Sequence, residues 1–190
     1  NLLINQSTMM IKIIIAITLL VALSNAAGPV VPFAYPLYKQ CDPRWGNDII
    51  ETTTVCDVGC LMSSISMAIA GHGIEIDGQS SNPGTLNSWL KSNGGYTSGN
   101  DLIESVVPGI SSDIKWDGPL LNGTALSMDD IKNLLNKKDM IVILNVDNGG
   151  HFVLATGYDS GDTKIYVNDP GFSRLYYEYN TVVGYRLFQM

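Results

Sequence analysis

Residues Met140 to Pro170 read MIVILNVDNGGHFVLATGYDSGDTKIYVNDP, and this stretch decides the fold. It contains three short runs rich in β-branched and aromatic side chains: MIVILNV (Met140–Val146), HFVLATGY (His151–Tyr158) and TKIYVNDP (Thr163–Pro170). Between them lie DNGG and DSGD, whose Gly, Asp and Asn suit tight turns. Each run has the length of a strand, and the short connections allow only antiparallel neighbours. A tyrosine-rich stretch ending in GYRLFQM continues the pattern to the C-terminus. The expectation is an antiparallel meander over the last third of the chain.

Upstream of the meander the periodicity changes from strand-like to helical. CLMSSISMAIA (Cys60–Ala70) has no helix breaker and mixes Leu61, Ile65, Met67 and Ile69 with Ser and Ala, as a helix in crowded, buried surroundings requires. Gly71, His72 and Gly73 then offer a left-handed exit. A second helix is expected over Thr85–Ser92, with Leu86, Trp89 and Leu90 on one side and Gly94 and Gly95 closing it. A third should start at Ser127, where Ser127 and Asp130 approximate a capping box, and run through Ile131, Leu134 and Leu135 to Lys137 and Lys138. Pro29, Pro32, Pro36 and Pro43 keep residues 28–47 extended or looped. Helices first and antiparallel strands after them make an α+β layout, and no repeat or low-complexity linker divides it.

The 190 residues carry eighteen Asp and Glu against eleven Lys and Arg, a net charge of −7 with no basic run. A nucleic-acid ligand is therefore not expected on electrostatic grounds. From Met10 the chain reads MIKIIIAITLLVALSNAAGPV: one Lys, the eleven-residue apolar run Ile13–Leu23, then small residues. That is the layout of a secretory signal, and the run is shorter than the roughly 20 residues that span a bilayer. Cleavage is expected after Ala26 or Ala27, with Asn1–Met9 upstream of the initiator. Residues 28–190 then form one acidic, secreted domain with no membrane attachment. Asn122-Gly123-Thr124 is an acceptor sequence for N-glycosylation.

Three cysteines, Cys41, Cys56 and Cys60, leave one unpaired in a monomer. Cys60 follows Gly59 and opens the most apolar helix, where unpaired N–H groups and the positive end of the helix dipole favour a negatively charged sulfur. Asp57 opposes that effect unless it serves as a helix cap. Pairing Cys41 with Cys56 closes a loop worth about 3 kcal/mol and is preferred, with a Cys56–Cys60 pair or a merely buried Cys60 as the alternatives. No zinc-type spacing is present, and neither metal nor cofactor is expected.

Only His72 and His151 can act as a histidine base. His72 sits at a helix exit, where a solvated, charged imidazole suits the dipole, and is read as structural. His151 follows Gly149 and Gly150, which leave room for a substrate backbone. If the strands on either side of Asp159–Asp162 pair as a hairpin, His151 falls opposite a position near 170 and Asp169 lies beside the imidazole. A carboxylate there can orient and charge-stabilise a histidine base.

Taken in order, QCDPRWGND (Gln40–Asp48), GCLMSSISMAIAGHGIE (Gly59–Glu75), NPGTLNSWLKSNGGY (Asn82–Tyr96), GHFVLATGYD (Gly150–Asp159) and VNDPG (Val167–Gly171) resemble the peptidase family C39-like domain. This is a branch of the papain-like cysteine peptidases related to the double-glycine-cleaving, bacteriocin-processing enzymes. The resemblance implies a papain-like fold, with N-terminal helices packed on a C-terminal antiparallel sheet. It also implies a nucleophile at Cys60, a base at His151, an orienting acid at Asp169 and an oxyanion donor at Gln40. Leu61 and Met62 stand where many relatives have Gly and Pro. Two functions are consistent with these residues. One is a secreted cysteine hydrolase acting on a peptide or amide bond, cell-wall peptides included; the other is a non-catalytic extracellular module on the same scaffold.

Overall fold

A computed structural model describes residues 28–190, so the signal-peptide reading of residues 10–27 and the assignment of residues 1–9 lie outside the described residues. In chain order the regular elements are α1 (Val55–Val58), α2 (Cys60–Gly71), β1 (Glu75–Ile76), β2 (Gln79–Ser80), α3 (Pro83–Ser92), β3 (Lys115–Leu120), α4 (Met128–Asn136), β4 (Met140–Val146), β5 (His151–Tyr158), β6 (Lys164–Asn168), β7 (Tyr176–Glu178) and β8 (Gly184–Gln189). Short 3-10 turns connect several of them. The architecture is α+β, with helices packed on an antiparallel sheet.

Strands β3 to β8 form one six-stranded sheet in the order β3-β8-β4-β5-β6-β7, with every neighbouring pair antiparallel. Its two faces are separate cores, because side chains alternate along each strand. Ile141, Ile143, Leu154 and Phe188 turn toward α2 and α3, whereas Val142, Leu144, Val146, Val153, Ile165 and Tyr185 turn toward α4. The N-terminal helices therefore cover one face and α4 the other. Helix α2 is the centre of the first core: Leu61 to Ile69 are all buried. Burying an aliphatic side chain of this size contributes roughly 1.5–3 kcal/mol. The serines lie on the packed surface because small side chains permit close approach; Ser64 and Ser66 find polar partners there, and Ser63 Oγ does not. Ser66 Oγ donates to the Ser63 carbonyl at 2.8 Å, and Ser64 Oγ to Phe152 of β5 at 3.4 Å.

Two departures from the expected meander have local causes. The last strand does not add beside β7. The chain turns through Tyr179–Thr181, crosses back, and inserts β8 between β3 and β4, where Tyr185 and Phe188 are fully buried. The crossing is held by Tyr179 Oη to the Leu126 carbonyl (2.8 Å), Tyr185 Oη to the Gly123 carbonyl (2.7 Å) and Val183 N to the Asn145 carbonyl (2.9 Å). Only glycine fits at position 123, since a Cβ there would lie 1.8 Å from the Val182 carbonyl oxygen.

The second departure is β3, an unexpected strand containing Gly118 and Pro119. It lies at the sheet edge with an irregular register between Trp116 and Gly118, where a strand tolerates both residues.

The helix expectations match in place, with shifted ends. Helix α3 starts at Pro83 because Asn82 accepts from Gly84 N and Thr85 N, and α4 starts after a full Ser127/Asp130 capping box. Helix α2 ends through His72 and Gly73, the latter at φ +67°. His72 itself is not the solvated group expected. It is half-buried and stacked on Phe33 with ring centroids 4.8 Å apart, so burial lowers its pKa and disfavours the charged form.

Candidate active site

Cys60 occupies the first position of α2. Its backbone N–H has no hydrogen-bond acceptor among the described residues, as befits the open N-terminal turn of a helix. Gly59 is required just before it, since a Cβ there would approach the Val55 carbonyl oxygen to 2.4 Å. Asp57 is occupied locally: it completes a capping box with Thr54 and also accepts from Thr53 Oγ1, at 2.9 Å. The Thr54 and Thr53 hydroxyls hold its carboxyl below the usual carboxylate range.

Cys41 and Cys56 are joined in a disulfide, and Cys60 is the free thiol. The disulfide ties the loop carrying Gln40 to the segment leading into α2. Gln40 is buried, its Nε2 donating to the Cys56 carbonyl at 2.6 Å while its Oε1 has no partner.

His151 opens β5, and the hairpin with β6 brings Asp169 to it. Leu154 pairs with Asn168, so the turn that follows Asn168 lies against the start of β5. A register shift between Ala155 and Gly157 lies farther along the hairpin and leaves this end intact. His151 Nε2 is 2.8 Å from Asp169 Oδ1, so the ring nitrogen not engaged by the carboxylate is Nδ1. Both side chains are buried. Burial of the imidazole opposes its charge, but hydrogen bonds with Asp169 and Cys60 and their charges outweigh that, and the His151 pKa is raised to about 9. Asp169 shows the same balance with opposite sign. Burial pushes its carboxyl up, and His151 together with the Phe172 N–H and Tyr177 hydroxyl bring it below its ordinary value.

The structure thus places Cys60, His151 and Asp169 in one constellation, with Gln40 beside it and His72 at the opposite end of α2. Sequence reasoning did not identify four further residues here. Gly171 N and Phe172 N donate to Asp169 Oδ1 at 2.9 and 2.8 Å, and Tyr177 Oη donates to Oδ2 at 3.0 Å. The Phe172 ring stands edge-on to His151 with centroids 5.0 Å apart. Lys39 Nζ donates to the carbonyls of Asp169 (2.6 Å) and Phe172 (2.5 Å). No periodic pattern marks Lys39 or Gly171; Tyr177 is the sole buried residue of β7.

Cys60, His151 and Gln40 line a groove of about 870 Å³. Its walls carry Asp57, Asp101, Glu104 and Asp147 against Arg186 alone, and Arg186 is paired with Glu104 at 2.6 Å.

A helix-start cysteine facing a strand-start histidine, across a helix-on-sheet junction, defines the papain-like class of cysteine peptidases. Within it, the chain belongs to the Peptidase_C39 like family, whose family model matches residues 33–187. Among solved structures, it is similar to a double glycine motif protease from an AMS/PCAT transporter, crystallised in complex with the leader peptide. That likeness has a TM-score of 0.51 and 15% identity, over 85% of this chain and 96% of that one, and concerns the fold. No curated protein matches the sequence significantly.

Proposed function

We propose that the protein is a secreted cysteine peptidase that cleaves peptide bonds with Cys60 as nucleophile, His151 as base and Asp169 as orienting acid. The observation carrying this reading is the His151–Asp169 contact of 2.8 Å, beside a groove that Cys60 and the same imidazole line together. The thiol proton already rests on the His151 imidazolium, and Cys60 Sγ attacks as the thiolate, bonding to the scissile carbonyl carbon. The carbonyl electron pair moves onto oxygen, which the Cys60 N–H and Gln40 Nε2 stabilise. Collapse breaks the C–N bond, and the leaving amine takes the proton from His151. Water, deprotonated by the same imidazole, then hydrolyses the thioester, releasing the acid and restoring the Cys60 thiolate beside the His151 imidazolium.

On the groove walls Glu104 is paired with Arg186 and Asp147 with Arg174, while Asp57 and Asp101 have no cationic partner among the described residues, and this residual negative charge favours peptides with Lys or Arg near the scissile bond. In this reading Asn122, exposed in its turn, carries the N-linked glycan. The test is turnover of a peptide library by the wild type and by Cys60→Ala, His151→Ala, Asp169→Asn and His72→Ala. The first two should nearly abolish cleavage. Asp169→Asn keeps an acceptor oxygen for His151 and should cost less, and His72→Ala should match wild type. Wild-type-like cleavage by folded Cys60→Ala refutes the nucleophile. A wild type that cleaves nothing favours the non-catalytic module.

A further inference from the structure

We propose that Lys39 is a positioning residue, whose ammonium fixes the Asp169–Phe172 turn and registers it against Gln40, so that the acid and the oxyanion donor move as one unit. The inference rests on the catalytic reading above.

The Asp169 turn is short and belongs to no strand, yet three of its four carbonyls are held by two consecutive residues. Lys39 Nζ takes the carbonyls of Asp169 and Phe172 at 2.6 and 2.5 Å, and Gln40 N donates to the Pro170 carbonyl at 3.0 Å. Lys39 makes no ion pair with a carboxylate among the described residues, so its charge is directed at these dipoles. Its own carbonyl accepts from Trp45 Nε1 at 2.8 Å, which anchors the segment to the α2–α3 core. The side chain of the same turn faces inward and accepts from His151. Loss of the clasp therefore reaches the imidazole through Asp169 and the oxyanion position through Gln40, although Lys39 touches neither reacting atom.

The groups facing this pair are few. Cys60 from α2 and Asp169 from the turn meet the imidazole, Tyr177 from β7 meets Asp169, and Asp147 from the preceding turn is paired with Arg174 at 2.8 Å.

The experiment compares wild type, Lys39→Met, Lys39→Gln and Lys39→Arg in two readouts. One is kcat and KM on a cationic peptide that the wild type cleaves. The other is the pH profile of Cys60 alkylation by iodoacetate, an anion whose reaction falls as the imidazolium loses its proton. Lys39→Met should lower kcat on the order of tenfold to a hundredfold with KM little changed. It should also move the alkaline limb of alkylation down by about one pH unit or more, as expected when Asp169 no longer holds the imidazole. Lys39→Arg, which keeps two donors, should restore the wild-type limb. Lys39→Gln should lie between and serves if the apolar variant does not fold. A folded Lys39→Met or Lys39→Gln with the wild-type alkaline limb overturns the proposal, as does Lys39→Arg failing to restore it. Because alkylation needs no substrate, a protein that cleaves no peptide still gives the answer, and that failure would count against the catalytic reading alone.

Discussion

Gly171→Ala isolates the geometry of the imidazole. The backbone at Gly171 has no positive φ, so alanine is conformationally acceptable there. A Cβ at this position would meet His151 Cε1 at 2.9 Å and Nε2 at 3.4 Å. Ordinary carbon contacts begin near 3.5 Å, so the ring must retreat by about half an ångström. It cannot do so without disturbing the 2.8 Å contact with Asp169, since Gly171 N is itself bound to the same carboxylate oxygen at 2.9 Å. A displacement of that size in a catalytic constellation costs on the order of tenfold to a hundredfold in kcat. Global stability should change little, because a single added methyl at a partly exposed turn disturbs one side chain. The assay is kcat and KM on a cleaved peptide, with thermal melts as the folding control and the His151 titration followed by NMR. The pKa of about 9 should fall in the variant. A folded Gly171→Ala enzyme with an unchanged imidazole titration would show that the ring is not displaced, and a lowered titration with wild-type kcat would show that the Asp169–His151 contact does not limit turnover.

Three further outcomes are expected, two from the structure and one from the sequence. Peptide mapping without reduction should recover Cys41 joined to Cys56, and replacing both by Ser should cost about 3 kcal/mol of stability in denaturant unfolding, whereas a Cys56–Cys60 crosslink would remove the nucleophile. The folded-state pKa of His151 is raised, so its contribution to stability is complete below its unfolded value near 6.5 and is lost as pH rises through about 9; Asp169 is lowered, so its contribution is present above the ordinary carboxylate value and is lost as pH falls through the folded one. Stability measured across pH should therefore fall at both ends, and Cys60→Ala should bring the His151 titration down. Expression with export should yield a mature N-terminus at Ala27 or Gly28, read by intact mass and N-terminal sequencing; a product retaining Ile13–Leu23 contradicts secretion.

The sequence made legible those features that depend on neighbours along the chain. Helix α2 lacks breakers and ends in glycine, and the β5–β6 hairpin is set by a turn in which Asp159 Oδ1 accepts from Thr163 N at 3.0 Å and Lys164 N at 2.8 Å. Counting outward from that turn brings Asp169 to His151, and the register of Leu154 with Asn168 preserves the count. Features set by distant contacts were hidden. The insertion of β8 depends on Tyr179 and Tyr185 meeting carbonyls more than fifty residues away, and short-range pairing of consecutive strands is the simpler expectation. Strand β3 was masked by Gly118 and Pro119, which local rules read as a turn. Gln40 was found through family resemblance alone, and Lys39 through neither route, because its partners are backbone carbonyls 130 and 133 residues away.

The central claim is that Cys60 is activated by the His151–Asp169 pair, and site-mapped labelling of the folded protein tests it most directly. At pH 6, a neutral alkylating reagent should give one adduct, on Cys60, roughly tenfold or more faster than with a free cysteine, and His151→Ala should reduce the rate to that of the free amino acid. Labelling of Cys60 no faster than free cysteine, or unaffected by loss of His151, would contradict the account.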